Sequence, residues 1–335
     1  MKSEKYYLGF DIGGTKCAVI LGTSSGKIID KETFPTGSAP EPYLMLEKLS
    51  DAANRIIEKN GFGYGKTSGN KTVSAAGISC GGPLDSRSGL ILSPPNLPGW
   101  DEFPIVEIIE KKFNFPVYLQ NDANASALAE FMFGAGRGFK NIIFLTFGTG
   151  MGAGLILNGR LYEGTNDMAG EIGHVRMEPS GPIGYGKAGS FEGFCSGGGI
   201  AQLGRIRAGE LLMQGKPVPF LKKGQSPEDL TARDIAEKAL AGEKESLEIY
   251  KTSGRYLGMG LSVLIDILNP QRIIIGSIFG RMKDIIYPEA EQIIKKEALA
   301  RSAGVCQIVP SPLGESIGDL ASIAVAVYEE KNLIL

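Results

Sequence analysis

The sequence predicts an α/β protein built from two similar domains. Apolar segments typical of strands alternate along the chain with amphipathic segments typical of helices. The chain has 335 residues, and about 150 residues is a usual domain size. Residues 8–21 read LGFDIGGTKCAVIL and residues 143–157 read IFLTFGTGMGAGLIL. Both segments contain an apolar strand, a glycine-rich turn and a second apolar strand, and this internal repeat favours two domains of one plan.

The elements of the first half follow from local patterns. After the first hairpin the sequence predicts a helix near 41–60, a glycine-rich loop at 60–70, a strand at 72–79, a long loop through Pro94 and Pro98, and an amphipathic stretch near 104–113. A strand over 116–120 then ends at Asn121-Asp122, where a further helix begins.

The second half continues the alternation of helices and strands. Thr231 opens a helix with Asp234 in its first turn, and a longer helix over 246–268 ends at Asn269-Pro270. The sequence then predicts a strand at 272–276, a helix near 287–300, a strand at 305–309 and a last helix from about 315 to 330.

Composition and charge exclude several classes of protein. Lys and Arg total 35, Asp and Glu total 37, and no basic block occurs, so nucleic-acid binding through a basic face is not expected. The four cysteines lie far apart and form no CxxC pair, which fits a reducing cytoplasm. The N-terminus lacks an apolar signal segment. The uncharged stretch 141–159 holds five glycines, so it predicts two strands around a turn and not a membrane span.

The first candidate site is the glycine turn within residues 11–16, DIGGTK. Glycines at a hairpin tip let backbone N–H groups converge on an anion, and Thr15 and Lys16 add a hydroxyl and a charge. Asp11, at the end of the first strand, offers the oxygen ligands that Mg²⁺ prefers. A plain Gly-Gly turn is the alternative for one such hairpin. A second glycine turn favours a polyphosphate held between the two, and it contains Thr146, Gly148, Thr149 and Gly150.

Asn121-Asp122 is the second candidate, at a strand end before a helix. Asp122 is either a helix cap or a general base that accepts the proton of an attacking hydroxyl. These two roles compete for the same carboxylate oxygens.

A third candidate is formed by Glu171, His174 and Glu192, and His174 is the only histidine of the chain. A lone histidine is usually structural and does not establish a nucleophilic triad. Two carboxylates and an imidazole among glycine-rich loops can instead pair with the hydroxyls of a polyol, each of which needs a partner when buried.

Five ordered motifs together resemble the ROK sugar kinases, a family named for repressors, open reading frames and kinases within the actin, hexokinase and Hsp70 superfamily. They are DIGGTK at 11–16, PPNLPGW at 94–100, NDANASALAE at 121–130, FGTGMGAGLILNG at 147–159 and AGEIGH at 169–174. The resemblance runs from residue 7 to about residue 330.

The resemblance implies two ribonuclease-H-like lobes with ATP in an interdomain cleft. We expect a first lobe over 1–120, a larger second lobe over 121–311, and a C-terminal helix within 312–335 that packs back on the first lobe. Family members are often dimers, so a homodimer is compatible with the resemblance.

The same resemblance implies roles for individual residues. Asp11 positions Mg²⁺ through water, and Asp122 takes the proton from the 6-hydroxyl of a hexose. The phosphate turns contribute Gly13, Gly14, Thr15 and Lys16, and Gly148, Thr149 and Gly150. Sugar-binding positions are Asn96, Asn121, Asp122, Glu171, His174 and Glu192. Gly276 and Ser277 match the adenosine-side loop, in which the usual second glycine is replaced.

One departure from the family concerns a structural zinc site. Most members follow the EIGH histidine with a CxCGxxGCxE segment, whose cysteines bind Zn²⁺ with that histidine. Here the cysteine positions hold Ile183, Tyr185 and Ser190, so the four ligands that zinc needs are missing. We expect no zinc, and a loop held by packing of Pro182, Tyr185 and Phe191 instead.

Several functions remain open within the resemblance. Phosphorylation of glucose is the first expectation, with N-acetylmannosamine or N-acetylglucosamine as the alternative acceptor. A sugar-responsive repressor would carry a helix-turn-helix domain ahead of the first hairpin, and that hairpin begins at residue 8. Retention of Asp11 and Asp122 disfavours a non-catalytic sugar sensor.

Overall fold

The computed structural model describes residues 4–38, 41–63 and 71–332, and most of the glycine-rich loop predicted at 60–70 lies outside them. The strands are β1 (Tyr6–Ile12), β2 (Lys16–Thr23), β3 (Ile28–Pro35), β4 (Val73–Cys80), β5 (Leu84–Asp85), β6 (Leu90–Ile91), β7 (Val117–Asn121), β8 (Ile142–Leu145), β9 (Ala153–Leu157), β10 (Arg160–Leu161), β11 (Ile183–Gly184), β12 (Lys187–Ala188), β13 (Arg272–Ile275) and β14 (Gln307–Pro310). The helices are α1 (Pro42–Lys59), α2 (Ile105–Phe113), α3 (Asp122–Phe133), α4 (Phe191–Phe194), α5 (Gly197–Met213), α6 (Ala232–Leu240), α7 (Lys244–Leu268), α8 (Ile278–Glu297), α9 (Ala300–Ala303) and α10 (Ile317–Asn332). The fold is α/β, as predicted.

Two five-stranded sheets share one strand order. The first is β3-β2-β1-β4-β7 and the second is β10-β9-β8-β13-β14, so each sheet places its strands in the order third, second, first, fourth, fifth. In the first sheet β2 is antiparallel to β1 and β3, whereas β4 and β7 run parallel to β1. In the second, β13 is parallel to β8 and β14. This common order is the structural basis of the internal repeat seen in the sequence.

Contacts divide the chain into two compact units. The first comprises Met1–Gly138, Gly154–Ala169 and Glu315–Leu335, and the second comprises Phe139–Ala153 and Gly170–Gly314. The predicted boundary after residue 120 does not coincide with this division, because α3 packs on β7, β4 and α10 within the first unit. The expected lobes over 1–120 and 121–311 stay a prediction, beside a contact-based division that includes α3 in the first unit.

Helices cover both faces of the first sheet. Alternate β1 residues, Leu8, Phe10 and Ile12, pack with α1 and α2, as expected for side chains that alternate between the faces of a strand. Tyr7 points to the other face and packs with Ile323 of α10. The carboxyl ends of β1, β4 and β7 are thereby fixed along one edge of the sheet.

The second unit is richer in helices. Helix α7 packs along α8 and also contacts α5 and α6. Thr231 is the N-cap of α6 in a capping box with Asp234, and α7 ends at Leu268 before a left-handed Asn269. Both helix boundaries were predicted from these residues.

Three elements differ from the prediction. Strand β3 has no predicted counterpart because it is an edge strand whose residues are half-buried or exposed, with Asp30, Lys31 and Glu32 in its middle. Helix α5 was missed because it opens on three glycines, which are poor helix formers. Helix α8 begins at Ile278 and not near 287. Its start was predicted too late because Pro288, a residue type that usually interrupts a helix, lies inside it.

The segment 141–159 forms β8, a turn and β9, as predicted. Within the described residues, we find no helix with the length and apolar character needed to cross a bilayer.

Candidate functional site

The first glycine turn joins β1 to β2 and is tied down from one side. The Gly13 N–H donates to the Lys16 carbonyl at 3.1 Å, and the Thr36 hydroxyl donates to the Gly13 carbonyl at 2.6 Å. The Thr36 N–H also donates to the Thr15 carbonyl at 3.0 Å. Gly14, Thr15 and Lys16 remain exposed at the tip. The turn therefore has a fixed backbone and an accessible end.

Asn96 lies directly beside this tip. A Cβ atom added to Gly14 would come within 2.7 Å of the Asn96 Cβ, so a larger residue at Gly14 would displace Asn96. The loop that carries Asn96 is anchored by buried Leu97 and Trp100, while Asn96 itself is exposed. Packing thus holds the amide next to the turn.

The register of the parallel strands places two carboxylates at one edge of the first sheet. Ile12 pairs with Cys80, and Cys80 pairs with Asn121, so these residues form one row across β1, β4 and β7. Asp11 precedes the first of them and Asp122 follows the last. The carboxyl ends of parallel strands are where α/β folds bind ligands.

The N-cap of α3 is Asn121 and not Asp122. The Asn121 Oδ1 accepts from the N–H groups of Ala123 at 2.8 Å and Asn124 at 3.3 Å. Asp122 is the first residue of α3, is exposed, and its Oδ1 accepts from the Ala123 N–H at 2.8 Å. The Asn121 side chain therefore accepts hydrogen bonds from two backbone N–H groups in the first turn of α3.

Asp11 lies in a strongly anionic setting. Burial, then Asp319, then Asp122 raise the pKa of Asp11 to about 6, against the opposing effects of Lys16 and Lys31. A divalent cation would relieve this repulsion, and carboxylate oxygens are the donors that Mg²⁺ prefers. The residues at this edge therefore fit such an ion.

The second glycine turn, residues 146–152, is fixed by polar contacts within the second unit. The Thr146 N–H donates to the Gly152 carbonyl at 3.0 Å, and the Thr146 hydroxyl accepts from the Gly152 N–H at 2.8 Å. The Gly148 N–H donates to the Gly150 carbonyl at 3.2 Å. Thr149 is exposed at the tip.

Two helices begin beside this second turn. The Gly197 N–H, at the start of α5, donates to the Gly148 carbonyl at 2.7 Å. Ser277 precedes α8, and its Oγ would lie 3.5 Å from a Cβ added at Gly148. Gly276 follows β13 and donates its N–H to the Leu145 carbonyl at 3.0 Å. The Gly276-Ser277 segment and the Gly148 turn are thus brought together.

Glu192 links the second turn to the Glu171–His174 segment. Its Oε2 accepts from the Met151 N–H at 3.0 Å and would lie 2.9 Å from a Cβ at Gly150. Glu192 and His174 both influence Glu171: burial raises the pKa of Glu171, His174 lowers it, and Glu192 raises it. The three candidate sugar residues of the second unit therefore lie within electrostatic reach of one another.

The positions aligned with the zinc ligands hold other contacts. Ser190 is the N-cap of α4, and its Oγ accepts from the Gly193 N–H at 3.1 Å. Phe191 is fully buried, but Tyr185 is 71% exposed, so the prediction that Tyr185 packs in place of zinc is wrong. Its ring lies edge-on to His174, with centroids 6.3 Å apart.

Zinc does not fit this donor set. Across residues 4–38, 41–63 and 71–332, no group of three His, Cys, Asp or Glu side chains is arranged to hold a metal ion. That the purified protein lacks zinc remains a prediction.

Sequence reasoning missed the start of α5. Ser196 caps this helix through the Gly199 N–H at 3.0 Å, and exposed Gly198 follows Gly197 at its first turn. A Ser-Gly-Gly-Gly run that opens a helix is a recognisable sequence signal, and here it places exposed Gly198 at the positive end of the helix dipole, where anions are stabilised.

Comparison with known proteins connects these features to a family. The ROK family model matches residues 7–327. A glucokinase of Halalkalibacterium halodurans is 32% identical over 333 residues, which cover 99% of this chain and 98% of that protein. A xylose repressor of Caldicellulosiruptor bescii is 27% identical over 323 residues, covering 96% of this chain and 78% of that protein.

A similar solved structure is that of a ROK family glucokinase from Streptomyces griseus in complex with glucose and AMPPNP. It matches with a TM-score of 0.75 and 26% identity, covering 96% of this chain and 99% of that chain. The predicted fold class, with two ribonuclease-H-like sheets, is confirmed. The relatives include both enzymes and regulators, so family membership alone does not determine whether this chain is a kinase.

Proposed function

This chain belongs to the ROK family, and on that premise we propose that it is an ATP-dependent sugar kinase acting on the 6-hydroxyl of a hexose. The observation that carries this proposal is the pair of carboxylates, Asp11 and Asp122, at one sheet edge beside an exposed glycine turn. Phosphoryl transfer needs a carboxylate that positions the cation, a base that accepts the proton of the acceptor hydroxyl, and hydrogen-bond donors that bind the phosphates. A pure binding protein needs only the last of these.

Asp122 is the proposed general base. Asn121 is the N-cap of α3, and Asp122, the next residue, is exposed at the carboxyl end of β7. It accepts the proton of the sugar hydroxyl as that oxygen attacks phosphorus.

Asp11 is the proposed cation-positioning residue. When bound, Mg²⁺ neutralises charge on the phosphate oxygens. Although the pKa of Asp11 is raised, its value of about 6 still lies below neutral pH. The carboxylate is therefore mostly ionised at neutral pH and can orient the ion or its waters.

The glycine turns are the proposed phosphate donors. Gly14 and Thr15 at one tip and Thr149 at the other are the exposed residues of turns whose remaining backbone is hydrogen-bonded internally. Rigid turns of this kind bind anions at little cost in ordering. Lys16 adds a positive charge, and Gly276-Ser277 is proposed to contact the adenosine.

Sugar binding is proposed for Asn96 and Asn121 in the first unit and for Glu171, His174 and Glu192 in the second. These groups are carboxylates, amides and one imidazole, which accept and donate hydrogen bonds of the kind that sugar hydroxyls require. Glucose is the proposed acceptor, supported by the name of the 32% identical relative. N-acetylmannosamine or N-acetylglucosamine is the alternative.

An ADP-release assay tests the proposal. Purified protein with ATP and Mg²⁺ is offered glucose, mannose, N-acetylmannosamine and N-acetylglucosamine in turn. We expect turnover on one or more sugars and none without sugar. Sugar binding by calorimetry without any ADP release would contradict a kinase and would favour a sugar sensor.

A further inference from the structure

The segment that lacks its zinc ligands is organised by a small β-hairpin. Strands β11 and β12 pair Ile183 with Ala188 and Gly184 with Lys187. The two residues between them, Tyr185 and Gly186, have φ of 43° and 75°, the left-handed conformation of a tight hairpin turn. The hairpin thus occupies the chain segment that the resemblance assigns to metal binding.

Charged side chains cross-link this hairpin to the segment that contains His174. The Lys187 ammonium donates to the His174 carbonyl at 2.8 Å, and the Arg176 guanidinium donates to the Ala188 carbonyl at 2.7 Å. The Phe191 N–H adds a backbone hydrogen bond to the Val175 carbonyl at 2.8 Å. Hydrogen bonds with one charged partner are stronger than neutral ones, so the carbonyl of His174 is held at a defined position.

The hairpin also touches Glu192 and α5. A Cβ added to Gly184 would come within 2.7 Å of the Glu192 Cβ, so the strand packs directly on this residue. The Gln202 amide of α5 accepts from the Ile183 N–H at 2.9 Å and donates to the Ile183 carbonyl at 2.8 Å. Gln202 therefore pairs with β11 as another strand would.

From these contacts we infer that Lys187 is a positioning residue that fixes the His174 segment for sugar binding, next to a loop that carries a structural zinc ion in most family members. The inference rests on the proposed function for its sugar readout. Lys187 donates a hydrogen bond to the His174 carbonyl, and the hairpin packs against Glu192. Gln202 bonds the hairpin to α5. Loss of the Lys187 ammonium leaves the His174 carbonyl without this donor and frees the turn to move.

The test compares Lys187→Met with Lys187→Arg and a matched control. Lys295→Met removes a lysine whose ammonium pairs with Glu291 at 2.9 Å on the exposed side of α8. Because His174 is the only histidine, ¹³C-labelled histidine gives an NMR signal from this site alone. Sugar affinity is measured by calorimetry without nucleotide, and steady-state kinetics give KM for sugar and for ATP.

We expect Lys187→Met to shift or broaden the His174 signal and to weaken sugar binding about three- to tenfold, as loss of one hydrogen bond predicts. The KM for ATP stays within about twofold because the lost hydrogen bond is to the His174 segment, which is proposed to bind sugar and not ATP. Lys187→Arg retains a donor and restores both readouts, and Lys295→Met changes neither.

Unchanged His174 signal and sugar affinity in Lys187→Met would overturn the inference. So would a general loss of stability that affects both substrates equally, since that marks a purely structural role. If the unmodified protein binds no sugar, the proposed function fails, whereas the His174 signal still decides whether Lys187 positions this turn.

Discussion

Substitution of Asp122 by asparagine separates catalysis from helix capping. The structure predicts a small effect on stability, because Asn121 makes the two capping hydrogen bonds and the new side chain keeps an acceptor for the Ala123 N–H. The lost charge at the helix start is worth about 0.3–1 kcal/mol, and relief of repulsion with Asp11 offsets part of it. The net change in the free energy of unfolding is therefore below about 1 kcal/mol.

The effect on turnover is expected to be far larger. An amide cannot accept the proton, so kcat falls by about 10²–10⁴, the usual contribution of a positioned base. Coupled ADP release measures kcat, and thermal unfolding measures stability in the same preparation. Sugar affinity by calorimetry stays within a few-fold of the original.

Thr231→Ala is the matched control for capping. Thr231 caps α6 through the Asp234 N–H at 3.2 Å, so its loss costs about 1 kcal/mol and lowers Tm by a few degrees, while kcat is retained. The reverse pattern for Asp122→Asn, a lower Tm with near-normal kcat, would refute the assignment of Asp122 as the base.

Three further predictions concern metal, sugar and pH. Elemental analysis is expected to find no stoichiometric zinc, and Tm to be indifferent to chelators; one zinc per chain would contradict this. Glu171→Gln and His174→Ala raise the KM for sugar or alter the choice between glucose and N-acetylated sugars, since unmatched polar groups are left in the site; an effect on the KM for ATP alone would count against their placement. Burial and Glu163 raise the pKa of Glu329 to about 7, so this group stabilises the fold below its unfolded pKa and that stability is lost as pH rises through about 7. Glu329→Gln should therefore raise Tm at pH 8 but not at pH 5, and equal effects at both pH values would contradict the shift.

The parts of the fold that were predicted correctly are those with strong local signals. The Gly-Gly turn between two apolar strands gave the β1–β2 hairpin, and Thr231 and Asn269 gave helix boundaries. The β3 edge strand was not predictable in the same way, because three consecutive charged residues, Asp30, Lys31 and Glu32, interrupt its apolar pattern. The position of β3 is set by its antiparallel pairing with β2, and the local sequence of β3 does not reveal this pairing.

The candidate site was only partly predictable for a related reason. Whether Asn121 or Asp122 caps α3 depends on the backbone conformation of Asn121, which has φ of −61° and ψ of 146°. The identities of the neighbouring residues do not specify this conformation. The cross-link from Lys187 to His174 joins a side chain to a backbone carbonyl, and no residue pattern marks it. Tyr185 was expected to pack within the loop that lacks zinc, but it lies in a tight hairpin turn and its side chain is exposed to solvent.

Phosphorus NMR of the reaction product shows directly whether phosphate is transferred to the 6-hydroxyl of a hexose. The protein is incubated with ATP, Mg²⁺ and the sugar that gives the fastest ADP release, with the Asp122→Asn variant in parallel. We expect a hexose 6-phosphate signal to grow as ATP is consumed, and the variant to produce it far more slowly. A hexose 1-phosphate, or no sugar phosphate from any hexose or N-acetylhexosamine, would contradict this expectation.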